Sequence, residues 1–300
     1  MKILITEEIT KDGKEILESA GFDIEEKFDL NKEELKNALK GIDGIIIRSK
    51  TKMDREVIES TDSLKVIGRA GIGIDNIDVE AARGKGIEIL ITPNSPTISV
   101  SELTFAMILS CARNLKKASL SLMGGKWEKN NLKGLELYGK TLGVVGLGRI
   151  GREVARKALA FGMNVVFFDP MVDEFEICKR CELEELCSTS DIITVHVPLI
   201  PETENLISTE AFANMKKEAI LVNCSRGGVV DEDALYDALV NEKIWGAGLD
   251  VFKEEPVTNH KLISLPNVIA TPHLGSQTIE GQLRVSTEIA TNIVNFFSTK

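Results

Sequence analysis

Short apolar runs and helix-spaced apolar positions alternate from the first residues of the chain. Lys2–Thr6 is a strand pattern and Lys11–Ala20 a helical one. The same alternation continues through Asn31–Lys40 (helix), Gly44–Ile47 (strand), Asp54–Ser60 (helix), Leu64–Ile67 (strand), Val79–Lys85 (helix) and Ile87–Ile91 (strand). Strands separated by short helices need crossover connections, which predicts a parallel sheet. Pro93-Asn94-Ser95-Pro96 breaks the rhythm and marks a boundary or hinge. A long helical stretch follows, Ser99 to Leu122. Its apolar positions Leu103, Ala106, Met107, Leu109 and Leu115 suit burial on more than one side, in a core or against a second subunit.

From Thr141 the alternation resumes with stronger strands: Leu142–Val145, Val165–Phe168, Ile192–Val197, Ala219–Asn223, Ala247–Val251 and Val268–Thr271. Six strands with helices between them suit a doubly wound dinucleotide-binding sheet. Gln277–Phe297 is a last helix with no strand of its own, so it is expected to cross back onto the first unit. The predicted fold is therefore α/β with two doubly wound parallel-sheet domains. One is a smaller, flavodoxin-like domain of residues 1–97 plus 275–300; the other, residues 98–274, is a Rossmann domain.

Composition narrows the function. The 300 residues carry 36 Lys+Arg against 46 Asp+Glu, a formal charge of −10, with 43% hydrophobic residues. That content excludes a disordered chain, and the acidic balance argues against nucleic acid as a partner. The apolar runs are too short to predict a membrane span, and Glu7-Glu8 follow the first strand too closely for a signal peptide, so a cytoplasmic protein is expected. Cys111, Cys178, Cys181, Cys187 and Cys224 read as reduced thiols. Cys178-x-x-Cys181 lacks the second pair of a zinc site, so no metal is expected.

Gly146-Leu147-Gly148-Arg149-Ile150-Gly151 is a G-x-G-x-x-G run between a strand and an amphipathic helix. Gly146 permits the tight turn, Gly148 lets backbone approach a pyrophosphate, and Gly151 lets helix and strand pack closely. Arg149 and Ile150 open the helix, whose N-terminus attracts the phosphates. Asp169 closes the next strand, followed by Pro170. Its carboxylate suits ribose hydroxyls and repels a 2′-phosphate, which predicts NAD over NADP.

Three histidines are candidates for proton transfer. His260 reads as a solvated loop residue. His196, in Thr194-Val195-His196-Val197-Pro198, reads as a packed histidine near the cofactor. His273 follows a strand in Thr271-Pro272-His273-Leu274-Gly275, where a group poised near neutral pH can take a hydroxyl proton. Arg226, in Asn223-Cys224-Ser225-Arg226-Gly227-Gly228, can put its fork on a carboxylate or carbonyl. Leu249-Asp250-Val251-Phe252-Lys253-Glu254-Glu255-Pro256 supplies carboxylates, one of which can hold an imidazole. Glu254 reads as surface charge.

With these four motifs together, the chain resembles the D-isomer-specific 2-hydroxyacid dehydrogenases over nearly its whole length. The resemblance implies Arg226, Glu255 and His273 as the catalytic set, Asp250 as a contact to the nicotinamide carboxamide, and a homodimer built on the cofactor domains. Ile47-Arg48-Ser49-Lys50-Thr51 and Gly68-Arg69-Ala70-Gly71-Ile72-Gly73-Ile74-Asp75-Asn76 are most like the branch that oxidises D-3-phosphoglycerate, in which the first arginine faces the phosphate. Arg48, Arg69, Gly71, Gly73 and Asn94 are the candidate contacts to a small anionic substrate bound between the domains, with closure about Pro93–Pro96 and Leu274–Gln277. Two positions depart from that branch: Ser95-Pro96 after Asn94, and Lys129 where relatives often carry arginine. The chain ends at Lys300, so feedback through a C-terminal regulatory domain is not expected. Other readings are a hydroxypyruvate, glyoxylate or other 2-keto-acid reductase, and an NAD-sensing binding protein of corepressor type.

Overall fold

A computed structural model describes residues 1–257 and 261–299 and divides the chain into two compact units: Met1–Pro96 with Ser276–Lys300, and Thr97–Gly275. His260 lies outside the described residues.

The first unit has strands β1 (Lys2–Ile5), β2 (Asp23–Glu26), β3 (Gly44–Ile47), β4 (Val66–Arg69) and β5 (Glu88–Ile91). Helices α1 (Lys11–Ser19), α2 (Lys32–Ala38), α3 (Arg55–Glu59) and α4 (Val79–Gly84) alternate with them. The sheet is parallel in the order β2-β1-β3-β4-β5. Its period-two alternation sends Leu4, Ile45, Ile47 and Ile67 into one buried cluster and Ile3, Ile5 and Ile46 into another. Side-chain caps start the helices: Asn31 makes a capping box with Glu34, and Asp54 and Asp78 each accept a hydrogen bond from a first-turn N–H.

The second unit starts with α5 (Thr97–Ala112) and α6 (Leu115–Met123). Strands β6 (Thr141–Val145), β7 (Asn164–Phe168), β8 (Lys179–Arg180), β9 (Ile192–Val195), β10 (Ile220–Asn223), β11 (Gly246–Leu249) and β12 (Val268–Ala270) follow. Among them lie α7 (Arg149–Ala160), α8 (Leu183–Thr189), α9 (Thr209–Asn214) and α10 (Glu232–Val240). The seven strands are parallel in the order β12-β11-β10-β9-β6-β7-β8. α5 lies close on the sheet, where a side chain on Gly248 would meet Met107 Cβ at 2.8 Å. The chain then returns to the first unit as α11 (Ile279–Ser298). Gly13 of α1 faces Ser286 of α11 so closely that a Cβ would lie 2.8 Å from the Ser286 carbonyl oxygen.

Three expectations change. The single helix Ser99–Leu122 is two helices. Asn114 sits in the left-handed region (φ 51°), and its amide donates to the Lys133 carbonyl, so the chain turns before α6. β2 and β8 are additional edge strands whose sequences, Asp-Ile-Glu-Glu and Lys-Arg, carry no apolar run. The fourth strand, read as Leu64–Ile67, begins two residues later and ends at Arg69.

Candidate active site

The second unit forms a turn suited to a dinucleotide. Gly146 leaves β6 at φ +91°, and a side chain there would meet the His196 carbonyl oxygen at 2.7 Å. Gly148 caps α7, is exposed, and has open space where a side chain would stand, so a phosphate can approach its backbone. A Cβ on Gly151 would lie 2.1 Å from the Gly146 carbonyl oxygen, which ties the helix to the strand. Arg149 and Ile150 form the first turn of this 12-residue helix, whose dipole favours an anion at its start. Asp169 lies at the end of β7. Its Oδ2 accepts from Leu147 N (2.7 Å) and its Oδ1 from Met171 N (2.8 Å), with Pro170 exposed beside it. These residues fit a dinucleotide whose ribose meets a carboxylate. His196 is a packed histidine: its Nε2 lies 3.0 Å from Thr194 Oγ1, and burial pushes its pKa down to about 3.

Neighbouring strands β10, β11 and β12 deliver the remaining groups of this unit. At the end of β10, Asn223 Oδ1 accepts from Ser225 N (2.9 Å) and Ser225 Oγ (2.8 Å), while its Nδ2 donates to the Arg226 carbonyl at 2.9 Å. That shapes the turn carrying Arg226, whose Nη1 donates to the Ser225 carbonyl at 2.7 Å. The turn packs against the next loop: a Cβ on Gly227 would lie 1.8 Å from the Phe252 carbonyl oxygen.

After β11 comes Asp250, 1% exposed. Its Oδ1 accepts from Thr271 Oγ1 (2.5 Å) and Leu274 N (2.7 Å), and its Oδ2 from Gly275 N (2.8 Å). Its backbone carbonyl accepts from His273 N at 2.9 Å. Burial pushes the Asp250 carboxyl upward despite these donors. The loop it grips holds His273 in the left-handed region (φ 54°), a conformation that costs an ordinary residue about 1–3 kcal/mol.

His273 Nδ1 lies 2.8 Å from Glu255 Oε2, and Phe252 N donates to Glu255 Oε1 at 3.0 Å. Burial raises the Glu255 pKa. The His273 hydrogen bond and charge, the Phe252 N–H and the Arg226 charge outweigh it, so the carboxyl sits below its ordinary value. An ionised carboxylate only accepts, so Nδ1 carries a proton in both ring states, and when the ring is neutral Nε2 is the nitrogen left to act as a base. With 43% of the His273 side chain and 37% of the Glu255 side chain exposed, the pair is reachable from solvent.

In the first unit the candidates converge at the carboxyl ends of the strands. Ile47 of β3 lies opposite Arg69 of β4, so the Arg48 and Arg69–Gly73 loops leave the sheet side by side. Thr92 N donates to the Gly71 carbonyl at 2.9 Å, bringing in the end of β5 and exposed Asn94, whose Nδ2 lies 3.4 Å from Glu288 Oε1. Arg69 folds over its own loop: Nη1 donates to the Ala70 carbonyl (3.1 Å), and a Cβ on Gly71 (φ +149°) would fall 1.4 Å from it. Gly73 is part-buried beside it. The Arg48 guanidinium has no hydrogen-bond or ion-pair partner among the described residues, and burial lowers its pKa against the opposing charges of Glu7 and Glu8.

Sequence reasoning missed the supports. Asp250 grips the His273 loop, a role its motif did not suggest, and Asn223 shapes the Arg226 turn. The available signal was position: each is a polar side chain immediately at the end of a buried apolar strand.

Residues 105–275 match the family model described as D-isomer specific 2-hydroxyacid dehydrogenase, NAD binding domain. The chain belongs to the D-isomer-specific 2-hydroxyacid dehydrogenase family. Its second unit is the family's NAD-binding domain, and NAD is the cofactor. The D-3-phosphoglycerate dehydrogenase of Methanocaldococcus jannaschii is 49% identical over 299 residues, 98% of this chain and 57% of that protein. A hydroxypyruvate reductase of Thermotoga maritima is 48% identical over 268 residues, 88% of each chain. Among solved structures, the TT0316 protein of Thermus thermophilus superposes with a TM-score of 0.94 at 36% identity, covering 100% of this chain and 98% of that one. The chain spans little more than half the length of the phosphoglycerate dehydrogenases it matches. Among the described residues no helix is long and apolar enough to cross a membrane.

Proposed function

We propose that this family member is an NAD-dependent dehydrogenase that oxidises D-3-phosphoglycerate to 3-phosphohydroxypyruvate, the first step of serine biosynthesis. The observation that carries the chemistry is the His273–Glu255 pair at 2.8 Å, held by a loop pinned to buried Asp250. His273 Nε2 takes the C2 hydroxyl proton, and Glu255 stabilises the imidazolium that forms. Arg226 polarises the carbonyl as it develops and holds the substrate carboxylate. NAD, when bound, supplies the hydride acceptor. In this reading Gly146–Gly151 and Asp169 hold its pyrophosphate and ribose, and Asp250 reaches its carboxamide. In the first unit, Arg69 and the Gly71–Gly73 loop take the carboxylate, with Asn94 at the same carboxyl end of the sheet, and Arg48 takes the phosphate.

The second reading is a reductase of hydroxypyruvate or a related keto acid, favoured by the 48% identity to the T. maritima enzyme across 88% of that protein. NAD reduction with D-3-phosphoglycerate, run beside NADH oxidation with hydroxypyruvate, glyoxylate and 2-oxoglutarate, decides between them. A kcat/KM for phosphoglycerate at least equal to the others supports the first reading, and activity on unphosphorylated keto acids alone supports the second. An NADH-binding chain inactive on all of them would instead be a sensing protein. We also propose a homodimer through the NAD-binding unit. Its support is the apolar surface of α6 and the segment after it, with Leu122 60%, Met123 81% and Trp127 82% exposed.

A further inference from the structure

The loop that carries Arg48 is held from both sides by side chains to which the site's motifs assign no role. Glu7 stands two residues beyond the end of β1, the strand beside β3. Its Oε1 accepts from Arg48 N (2.8 Å) and Thr51 N (3.0 Å), and its Oε2 from Lys50 N (3.2 Å). Three backbone N–H groups converging on one carboxylate form an anion nest, and here the protein fills it itself. On the carbonyl side, Asn76 Nδ2 donates to Arg48 O (2.8 Å) and Thr51 O (2.6 Å). Thr6 Oγ1 meets Thr51 Oγ1 at 2.9 Å.

We propose that Glu7 and Asn76 are positioning residues that clamp the Arg48–Thr51 backbone, so that the Arg48 guanidinium is presented to an anionic group of the substrate in one fixed orientation. The inference rests on the reading of Arg48 as the phosphate contact. Glu7 occupies the N–H groups of Arg48, Lys50 and Thr51, so an incoming anion would compete with a carboxylate for this backbone and is met instead by the Arg48 side chain. Neither Glu7 oxygen is within hydrogen-bonding reach of the guanidinium, so the clamp does not consume the cation it positions. A ligand held by a pre-ordered arginine loses less conformational freedom on binding than one that must order the loop.

The test compares wild type, Glu7→Ala, Glu7→Gln, Asn76→Asp and Arg48→Ala on D-3-phosphoglycerate and D-glycerate. Amide hydrogen exchange at Arg48, Lys50 and Thr51 is followed in parallel, with NADH binding as a folding control. Glu7→Ala removes all three acceptor contacts. It should speed exchange at those amides and raise KM for phosphoglycerate about tenfold, with kcat within about twofold and D-glycerate little changed. Glu7→Gln removes the charge yet can keep both bonds to Oε1, so its effect should be about twofold. Asn76→Asp turns its donors into acceptors facing two carbonyls and should resemble Glu7→Ala; it also carries the test if Glu7→Ala does not fold.

Equal effects of Glu7→Gln and Glu7→Ala would make the charge, not the clamp, responsible and overturn the proposal. So would fast amide exchange with an unmoved KM. If Arg48→Ala treats the two substrates alike, the phosphate reading of Arg48 falls. Amide exchange in the Glu7 and Asn76 variants then still decides whether the clamp exists.

Discussion

Two regions of this molecule solve the same mechanical problem in opposite ways. In the NAD-binding unit, a buried carboxylate (Asp250) pins the loop bearing His273, and a second carboxylate (Glu255) touches the imidazole itself. In the first unit, Glu7 pins the loop bearing Arg48, but no carboxylate forms an ion pair with the guanidinium among the described residues. On the proposed function, the difference follows from what each group must do. A base needs a partner that fixes its tautomer and stabilises its charged form, whereas a cation meant for an anionic ligand must keep its donors uncommitted.

The largest expected break is on the chemical side. His273→Ala removes the proposed base, and kcat should fall about 10³-fold while NADH binding measured by fluorescence is retained. Surviving turnover would make another group the base. Glu255→Gln keeps the shape of the pair but not the charge that supports the imidazolium, so kcat should fall about a hundredfold with KM less affected. An unchanged kcat would reduce Glu255 to a structural contact and dissolve the contrast with Arg48.

A smaller effect concerns stability. His196 holds its folded pKa near 3 because it is buried, while the unfolded chain protonates close to the ordinary value of 6.5. Above that pH the residue contributes no pH dependence. Below it the unfolded state binds the extra proton, so stability falls as pH drops, by up to about 1.4 kcal/mol per unit, until the folded pKa is reached. Glu255 acts in the same direction further down, since a depressed carboxylate loses its contribution as pH falls through its folded pKa. Denaturant unfolding of His196→Gln between pH 7 and 4 should show a flatter slope than wild type, and an identical slope would contradict the packed assignment.

Much of this was legible in the sequence because buried parallel strands write themselves as short apolar runs. Gly44–Ile47, Leu142–Val145 and Ile192–Val195 are buried on both faces of their sheets. β2 and β8 were not legible, because edge strands have a solvent side and theirs are built from Asp, Glu, Lys and Arg. The break at Asn114 was hidden because helical periodicity continues across it. Periodicity reports which faces are buried, not where one residue leaves the helical region. In the site, the glycine spacing was readable because a tight turn and a close helix–strand approach restrict the residue type, while His273 and Arg226 were expected from the residue types that proton transfer and carboxylate binding need. Glu7 and Asn76 were not, because their hydrogen bonds reach residues 41–44 and 25–28 positions away, and only the sheet order brings them together.

The central claim, that one unit performs the oxidation while Arg48 of the other reads the substrate's phosphate, is tested most directly by one ratio. That ratio is kcat/KM for D-3-phosphoglycerate over D-glycerate, measured for wild type and Arg48→Ala. A charge-assisted contact contributes about 1.5–3 kcal/mol, so the substitution should collapse the ratio by about tenfold or more while leaving D-glycerate oxidation nearly unchanged. A ratio that stays the same, or a variant in which both substrates suffer equally, would contradict that division of labour.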